Sequence, residues 1–227
     1  MSKKIAVVIA MYNESQSIQS VLKSLREVRP DDMVIVVDDG SADNSYEMAM
    51  KVEKIHLLKH IYNLGQGAAL QTGIEYAKRL DVDYVVTYDA DGQHNPHDIE
   101  PFVKEMQEGD YDIILGSRFL GKTVNMSKNK YYVLKLSIWF GYLFGGIKLT
   151  DSHNGFRLIN IAKFPSFEMT QNEMAHASEV IDIIKANDLH YKEMPCTITY
   201  TDYSMEKGQS IFNSISIMMQ YLIGKAQ

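Results

Sequence analysis

Residues 84–96 read YVVTYDADGQHNP, and this stretch decides how the rest of the chain is interpreted. An apolar run of strand length leads directly into two carboxylates, Asp89 and Asp91, and the amide of Gln93. Oxygen ligands clustered at a strand end suit a hard cation such as Mg²⁺ or Mn²⁺. Such an ion can bridge a diphosphate and neutralise the charge on a departing nucleoside diphosphate. Alone the pattern is weak evidence, because Asp-x-Asp also occurs in ordinary turns.

Strand and helix patterns alternate around this stretch. Apolar runs predict strands at 4–10, 33–37, 55–59, 83–88 and 112–115. Amphipathic periodicity predicts helices at 18–28, 43–53, 68–80 and 98–107. The alternation is typical of an α/β fold with a doubly wound, mainly parallel sheet. Ligands of such sheets bind beyond the carboxyl ends of the strands, which selects the loops 10–15, 38–45, 60–67 and 89–97.

Two of the other selected loops also carry acidic residues. Asp38 and Asp39 follow the second strand and could accept hydrogen bonds from a base or a ribose. The first strand leads into Tyr12, which could stack on a base, and Glu14. Three acidic strand ends at one edge would repel each other without a cation or ligand between them, which favours a functional site.

A basic and aromatic region follows residue 116. Residues 118–163 contain eight Lys or Arg and one acidic residue, although the whole chain has a net charge of −6. The apolar run 131–149 contains two lysines and is a poor membrane-spanning candidate. It suits either a surface on anionic lipid or a core helix with a solvated basic face. Beyond it we predict turns at 150–157, a helix near 173–187 and a strand at 197–201.

Length and composition predict a cytoplasmic globular protein. The 227 residues suffice for one α/β domain, and the negative net charge argues against nucleic acid as a partner. Residues 1–4 lead straight into a strand pattern without a signal peptide, and Cys196 is the single cysteine. We find no linker or repeat and expect one domain, 1–227, divided into parts 1–117 and 118–227.

Six segments occur in a recognisable order: AMYNE (10–14), VDDGS (37–41), NLGQG (63–67), DADGQH (89–94), GSRF (116–119) and DSHNGFR (151–157). Together they resemble the family 2 inverting glycosyltransferases, most closely the branch of dolichyl- or polyprenyl-phosphate sugar synthases. The resemblance implies a GT-A fold and Mn²⁺ or Mg²⁺ held by Asp91, Gln93 and Asp89. It implies that the nucleotide-sugar is bound by Ala10, Tyr12, Glu14, Asp39, Gly65, Gly67, Asp89 and Ala90.

Two segments depart from the family pattern. Gln66 stands where a Gly-Lys-Gly loop usually carries lysine, and His153-Asn154 stand where Thr-Ser is frequent. The glycines at 65 and 67 are not a dinucleotide fingerprint, because they follow the third strand and the third glycine position is Leu70.

Charge also bears on the acceptor. A phosphate monoester is already largely a dianion near pH 7, so it needs positive groups and no general base. Arg118, Lys130 and Arg157 are the candidate phosphate ligands. Asp151 and Glu179, three residues after His176, remain candidate bases for a hydroxyl acceptor. We therefore assign the catalytic roles to Asp91, Arg118 and Asp151.

These features predict metal-dependent, inverting transfer of a hexose from a UDP- or GDP-sugar to a polyprenyl phosphate. The second part of the chain, 118–227, would face the acceptor and the inner surface of the cell membrane as a peripheral protein. Residues 211–223 suit either an interfacial helix or a docking face for a partner, and residues 200–210 suit either a mobile loop or a plain surface turn. We also expect a small membrane-protein partner and, as an open alternative, a homo-oligomer. Two alternatives are transfer to the hydroxyl of a lipid-linked saccharide and a non-catalytic nucleotide-sugar-binding regulator.

Overall fold

The strands of the structure form one mixed sheet. This computed structural model describes residues 3–172, 176–201 and 203. The strands are β1 (Ile5–Met11), β2 (Met33–Asp38), β3 (Ile55–Lys59), β4 (Tyr84–Asp89), β5 (Ile113–Val124), β6 (Arg157–Asn160) and β7 (Tyr191–Thr199). Their order across the sheet is β3-β2-β1-β4-β6-β5-β7. Only β6 runs antiparallel to its neighbours within the described sheet. The predicted doubly wound, mainly parallel α/β fold is confirmed.

Six α-helices of the described chain connect or cover the strands. They are α1 (Ile18–Val28), α2 (Ser45–Met50), α3 (Gln66–Arg79), α4 (Ile99–Glu108), α5 (Lys128–Gly145) and α6 (His176–Ala186). The apolar side chains of α1 and α4 pack on one face of the sheet, and those of α3 and α6 on the other. Burial on both faces explains why the central strands are almost continuously apolar.

The register of the parallel strands places the selected loops along one edge. Ala10 lies between Val37 of β2 and Asp89 of β4, and Met11 pairs with Asp38. The strand ends that carry the acidic residues are therefore immediate neighbours. Helix α3 packs closely on β1, because a Cβ on Gly73 would lie 2.3 Å from the Cγ1 atom of Val8.

The second half of the chain differs from the prediction. The expected end of the fifth strand at Leu115 is wrong, since β5 continues to Val124 across a register shift between Ser117 and Lys122. The antiparallel β6 was not predicted, and β7 begins at Tyr191 instead of residue 197. These strands mix polar and apolar residues, so no continuous apolar run marks them. The division expected at residue 117 falls inside β5.

Helix α5 exposes several large apolar side chains. It begins after Ser127, whose Oγ accepts a hydrogen bond from the N–H of Lys130, and ends at Gly146, which has φ 77°. Tyr132, Leu136 and Trp139, spaced for one helix face, are 69%, 62% and 59% exposed. This does not match a core helix with a solvated basic face. Among the described helices, none combines the length and apolar character needed to cross a membrane.

The expected interfacial helix at 211–223 lies outside the described residues, as does most of the expected loop at 200–210. The predicted helix near 173–187 is confirmed over its described part, 176–186.

Candidate active site

The carboxylate of Asp89 is held at the end of β4 by two side chains. Its Oδ2 lies 2.8 Å from Nε2 of His94, and its Oδ1 accepts a hydrogen bond of 3.2 Å from Nε2 of Gln66. Gln66 opens α3, so the residue at the usual lysine position does contact the acidic strand end. A Cβ on Gly155 would come within 2.7 Å of Asp89 Oδ1, and glycine therefore permits this close approach.

Asp91 is a largely buried carboxylate beside other negative charges. Its Oδ1 accepts the backbone N–H of Gln93 at 3.0 Å, and its Oδ2 accepts a hydrogen bond from the Gln93 side-chain amide. The pKa of Asp91 is raised to about 6, first by burial and then by the charge of Asp89, with a smaller contribution from Glu14. The structure thus brings together acidic groups from the β1 and β4 loops.

Asp39 organises the loop between β3 and α3. Its Oδ2 accepts the backbone N–H of Gly65 at 2.7 Å, and its Oδ1 accepts that of Leu64 at 3.0 Å. The ring of His60 adds a third contact, with Nδ1 2.7 Å from Oδ1. Gly65 has φ 103°, which favours glycine and allows the chain to turn into α3. Gly67 follows as a buried residue of that helix. The neighbouring Asp38 instead accepts the N–H of Ser41 and is fully buried.

The loop after β1 meets the end of the described chain. Glu14 Oε2 accepts hydrogen bonds of 2.8 Å from the hydroxyl groups of Ser17 and Tyr203. Tyr203 follows β7, so it joins the second half of the chain to the first loop. Tyr12 is 45% exposed and remains accessible for stacking, whereas Ala90 is buried beside the acidic pair.

Arg118 is a nearly buried cation with fixed partners. Its Nε lies 2.5 Å from Asp151 Oδ2, which also accepts the backbone N–H of Arg118 at 3.0 Å. Its Nη1 donates to the hydroxyl group of Tyr200 at 2.9 Å. Burial, the largest single influence, would lower the pKa of Arg118, but the charges of Asp151 and Tyr200 and the hydrogen bonds to both together outweigh it, and the pKa is raised. The guanidinium group is therefore permanently charged and rigidly oriented.

Lys130 lies beside this pair. Its Nζ is 4.2 Å from the centre of the Tyr200 ring, a cation–π contact. The pKa of Lys130 is lowered by burial and then by the charge of Arg118, while Asp91 acts in the opposite direction. The first turn of α5 thus carries a cation into electrostatic reach of both Arg118 and Asp91.

Arg157, the third candidate phosphate ligand, is buried in β6. Its Nη1 has no hydrogen-bond partner within the part of the chain that is described. Burial lowers its pKa to about 10, against the opposing charges of Asp89 and Asp151. The structure thus places an incompletely paired cation within electrostatic reach of both Asp89 and Asp151.

The two candidate bases occupy different environments. The carboxylate of Asp151 is paired with Arg118. The backbone N–H of Asp151 donates to Glu193, which also accepts hydrogen bonds from the backbone N–H and the hydroxyl group of Thr150. Glu179 accepts the backbone N–H groups of residues 170 and 171 and so holds the chain ahead of α6. Neither carboxylate stands alone as a free acceptor of a proton.

Comparison with known proteins then identifies the family. The profile described as "Glycosyl transferase family 2" matches residues 6–166. The chain belongs to this family. It is 32% identical over 245 residues to the UDP-N-acetylglucosamine–dolichyl-phosphate N-acetylglucosaminyltransferase of Methanococcus voltae, covering 98% of this chain and 96% of that enzyme. The family prediction made from the six segments is confirmed, and the chain is a glycosyltransferase.

Further similarities agree with this assignment. The undecaprenyl-phosphate mannosyltransferase of Micrococcus luteus is 30% identical over 164 residues, covering 68% of the glycosyltransferase chain and 65% of its relative. Glucosyl-3-phosphoglycerate synthase of Mycobacterium tuberculosis, solved with Mn²⁺, UDP and phosphoglyceric acid, superposes with a TM-score of 0.71 at 16% identity. The superposition covers 97% of this chain and 78% of that one. It shows the fold, which is GT-A as expected.

The residues of the glycosyltransferase fit a hard divalent cation. Asp91 is a largely buried carboxylate beside the negative charge of Asp89, and a cation would relieve the repulsion between them. The amide of Gln93 lies against it, and rotating this amide would present its oxygen. No group of three His, Cys, Asp or Glu side chains in 3–172, 176–201 and 203 could hold a metal. A bound ion would therefore need further oxygens from a ligand or water.

Sequence reasoning missed four residues that shape the glycosyltransferase site. They are His60 beside Asp39, His94 beside Asp89, Tyr200 beside Arg118 and Glu193 beneath Asp151. His94 lies only five residues after Asp89 in a quoted segment and could have been found. The other three join positions 21 to 82 residues apart, and no local pattern marks them.

Proposed function

We propose that this glycosyltransferase moves a sugar, with inversion, from a UDP- or GDP-sugar to a polyprenyl phosphate at the inner face of the cell membrane. The observation that carries this proposal is the cluster formed by Arg118, Lys130 and Tyr200 within electrostatic reach of Asp91. A basic, nearly buried cluster next to an acidic metal-type site suits two anionic substrates, a lipid phosphate and a metal-bound diphosphate.

On the donor side, the acidic strand ends would bind the nucleotide. Asp39 and Tyr12 would contact the base or ribose, and Asp91 with Gln93 would hold Mn²⁺ or Mg²⁺ near Asp89. The bound cation would neutralise the diphosphate and stabilise it as a leaving group. Gln66 replaces the usual lysine, so no side chain at this position would offset the negative charge of the diphosphate. Neutralising the diphosphate would then depend more heavily on the bound cation.

On the acceptor side, the protein needs to orient an existing nucleophile. An oxygen of the phosphate dianion attacks the anomeric carbon as the bond from that carbon to the diphosphate breaks, and the nucleoside diphosphate departs. Arg118 and Lys130 would bind the acceptor phosphate, with Arg157 behind them. Asp151 would act as a positioning residue that fixes Arg118, because its carboxylate is already paired. No proton has to be removed from the acceptor, because the phosphate is already ionised.

Two kinds of support come from outside the site. The relatives from Methanococcus voltae and Micrococcus luteus are named for dolichyl phosphate and undecaprenyl phosphate, which are polyprenyl phosphates. The exposed face of α5, consisting of Tyr132, Leu136 and Trp139, adjoins Lys135, and such a mixture suits the surface of an anionic membrane. Lys130 of the same helix belongs to the basic cluster, so a membrane-bound α5 would place that cluster near the lipid headgroups.

The test combines the purified protein, Mn²⁺, UDP- and GDP-sugars and undecaprenyl phosphate in detergent micelles. We expect an acid-labile glycolipid whose formation stops when EDTA removes the metal. Lys130→Met should raise the KM for the lipid phosphate and leave donor binding unchanged, because it removes one cation without stranding a buried partner. Lys104→Met, on the exposed side of α4, is the matched control and should behave as the unaltered enzyme. Transfer to a glycan hydroxyl but not to the lipid phosphate would overturn the proposal.

A further inference from the structure

The acceptor capacity of Asp39 is almost used up by the protein itself. An ionised carboxylate offers about four lone-pair sites, two on each oxygen. Oδ1 accepts the N–H of Leu64 and lies 2.7 Å from Nδ1 of His60, while Oδ2 accepts the N–H of Gly65. Three of the four sites are therefore occupied, and the remaining one is on Oδ2.

The orientation of His60 is fixed from both sides. A carboxylate can only accept a hydrogen bond, so the proton must lie on Nδ1 of the His60 ring. Nε2 of the same ring is 3.0 Å from Oγ1 of Thr72 on α3, and it can accept the hydroxyl proton. The backbone N–H of His60 also donates to the carbonyl oxygen of Asp38 at 2.8 Å. The ring thus holds its N–H against Oδ1 of Asp39.

From this arrangement we infer that the enzyme selects uridine diphosphate sugars over guanosine diphosphate sugars, and that His60 is a residue that sets this selectivity. Uracil presents a single N–H between two carbonyl groups, which one free site on Oδ2 can accept. Guanine presents two adjacent N–H donors, which suit a carboxylate with both oxygens free. With Oδ1 occupied, one guanine N–H would remain unpaired in a buried site, at a cost in affinity of roughly tenfold to a hundredfold. The inference rests on the proposed function, in which Asp39 contacts the base.

Isothermal titration of the full chain with UDP and with GDP, each with Mn²⁺, tests it. We expect UDP to bind more tightly by roughly tenfold to a hundredfold. His60→Ala frees a site on Oδ1 and should reduce the ratio of the two affinities to within a fewfold, mainly by improving GDP binding. His60→Asn is the matched control, because its side-chain N–H can occupy the position of Nδ1 and should retain the preference.

The outcomes separate the two proposals. If neither nucleotide binds, the donor side of the proposed function fails and the inference fails with it. If both bind equally, or GDP binds more tightly, the inference alone is overturned, since Asp39 then serves only to shape the loop. If His60→Ala weakens both nucleotides by the same factor, the selectivity does not come from His60. Circular dichroism of each variant distinguishes this last result from unfolding.

Discussion

Replacing Asp151 by Asn removes one charge of a buried ion pair while keeping the shape of the side chain. Asp151 is 0% exposed at its side chain and Arg118 is 9% exposed, with 2.5 Å between Nε and Oδ2. The variant leaves the guanidinium charge of Arg118 buried without its counter-charge. The hydroxyl group of Tyr200 stays in place but cannot neutralise it.

The size of the effect follows from this geometry. Removing one partner of a buried ion pair costs about 3–5 kcal/mol of the free energy of unfolding. Asparagine retains an oxygen that can accept the backbone N–H of Arg118, so we expect about 3 kcal/mol. For a chain of this size, that corresponds to a melting temperature lower by roughly 6–12 °C. Such a loss is a large part of the 5–15 kcal/mol that typically stabilises a domain.

Urea unfolding followed by far-ultraviolet circular dichroism measures the change. The midpoint should fall while the slope with urea stays constant. Asp110→Asn removes an exposed partner of Lys163 and is the control, with no measurable change expected. The double variant Arg118→Met/Asp151→Leu removes both charges and should recover much of the lost stability without recovering transfer. Coinciding midpoints for Asp151→Asn and Asp110→Asn would refute the reasoning.

Three further predictions concern other parts of the molecule. The double variant Leu136→Ser/Trp139→Ser should reduce flotation with anionic phosphatidylglycerol vesicles by more than about tenfold. Each of these apolar side chains, once inserted into the membrane surface, would contribute about 1.5–3 kcal/mol to binding. The control Ile61→Ser, which changes an exposed residue outside α5, should leave flotation unchanged. If it reduced flotation as much as the double variant does, the role of α5 in membrane binding would be contradicted. Gly73→Ala should destabilise the fold by about 1–3 kcal/mol in thermal unfolding, because the added Cβ would clash with Val8. A higher melting temperature would instead show that α3 can shift to accommodate it. Burial raises the pKa of the Cys196 thiol to about 12, so mass spectrometry should detect alkylation by iodoacetamide at pH 8 only after unfolding; rapid labelling of the native protein would disprove this.

The sequence predicted the first half of the fold closely. The buried strands β1, β2 and β4 are almost purely apolar, and the helices between the strands carry apolar residues at helical spacing. Both signals are local, because burial on two faces or on one stripe dictates the residue type at each position. The same rule predicted which loops meet, since parallel strands end at one edge.

The structure of the second half of the chain could not be predicted in this way. Its strands are polar or short, and β5 continues through Arg118 because β7, from the far end of the chain, pairs with it. Arg157 gave no signal of a strand because buried strands rarely contain arginine.

By itself the sequence determined the α/β class, the family and the acidic strand ends, because these depend on residue types within short windows. Only the tertiary structure decided that Asp151 and Tyr200 fix Arg118, that His60 contacts the carboxylate of Asp39 and that Tyr132 and Trp139 of α5 are exposed. These contacts join residues far apart in the chain, and their energies depend on distance and burial, which no local pattern specifies.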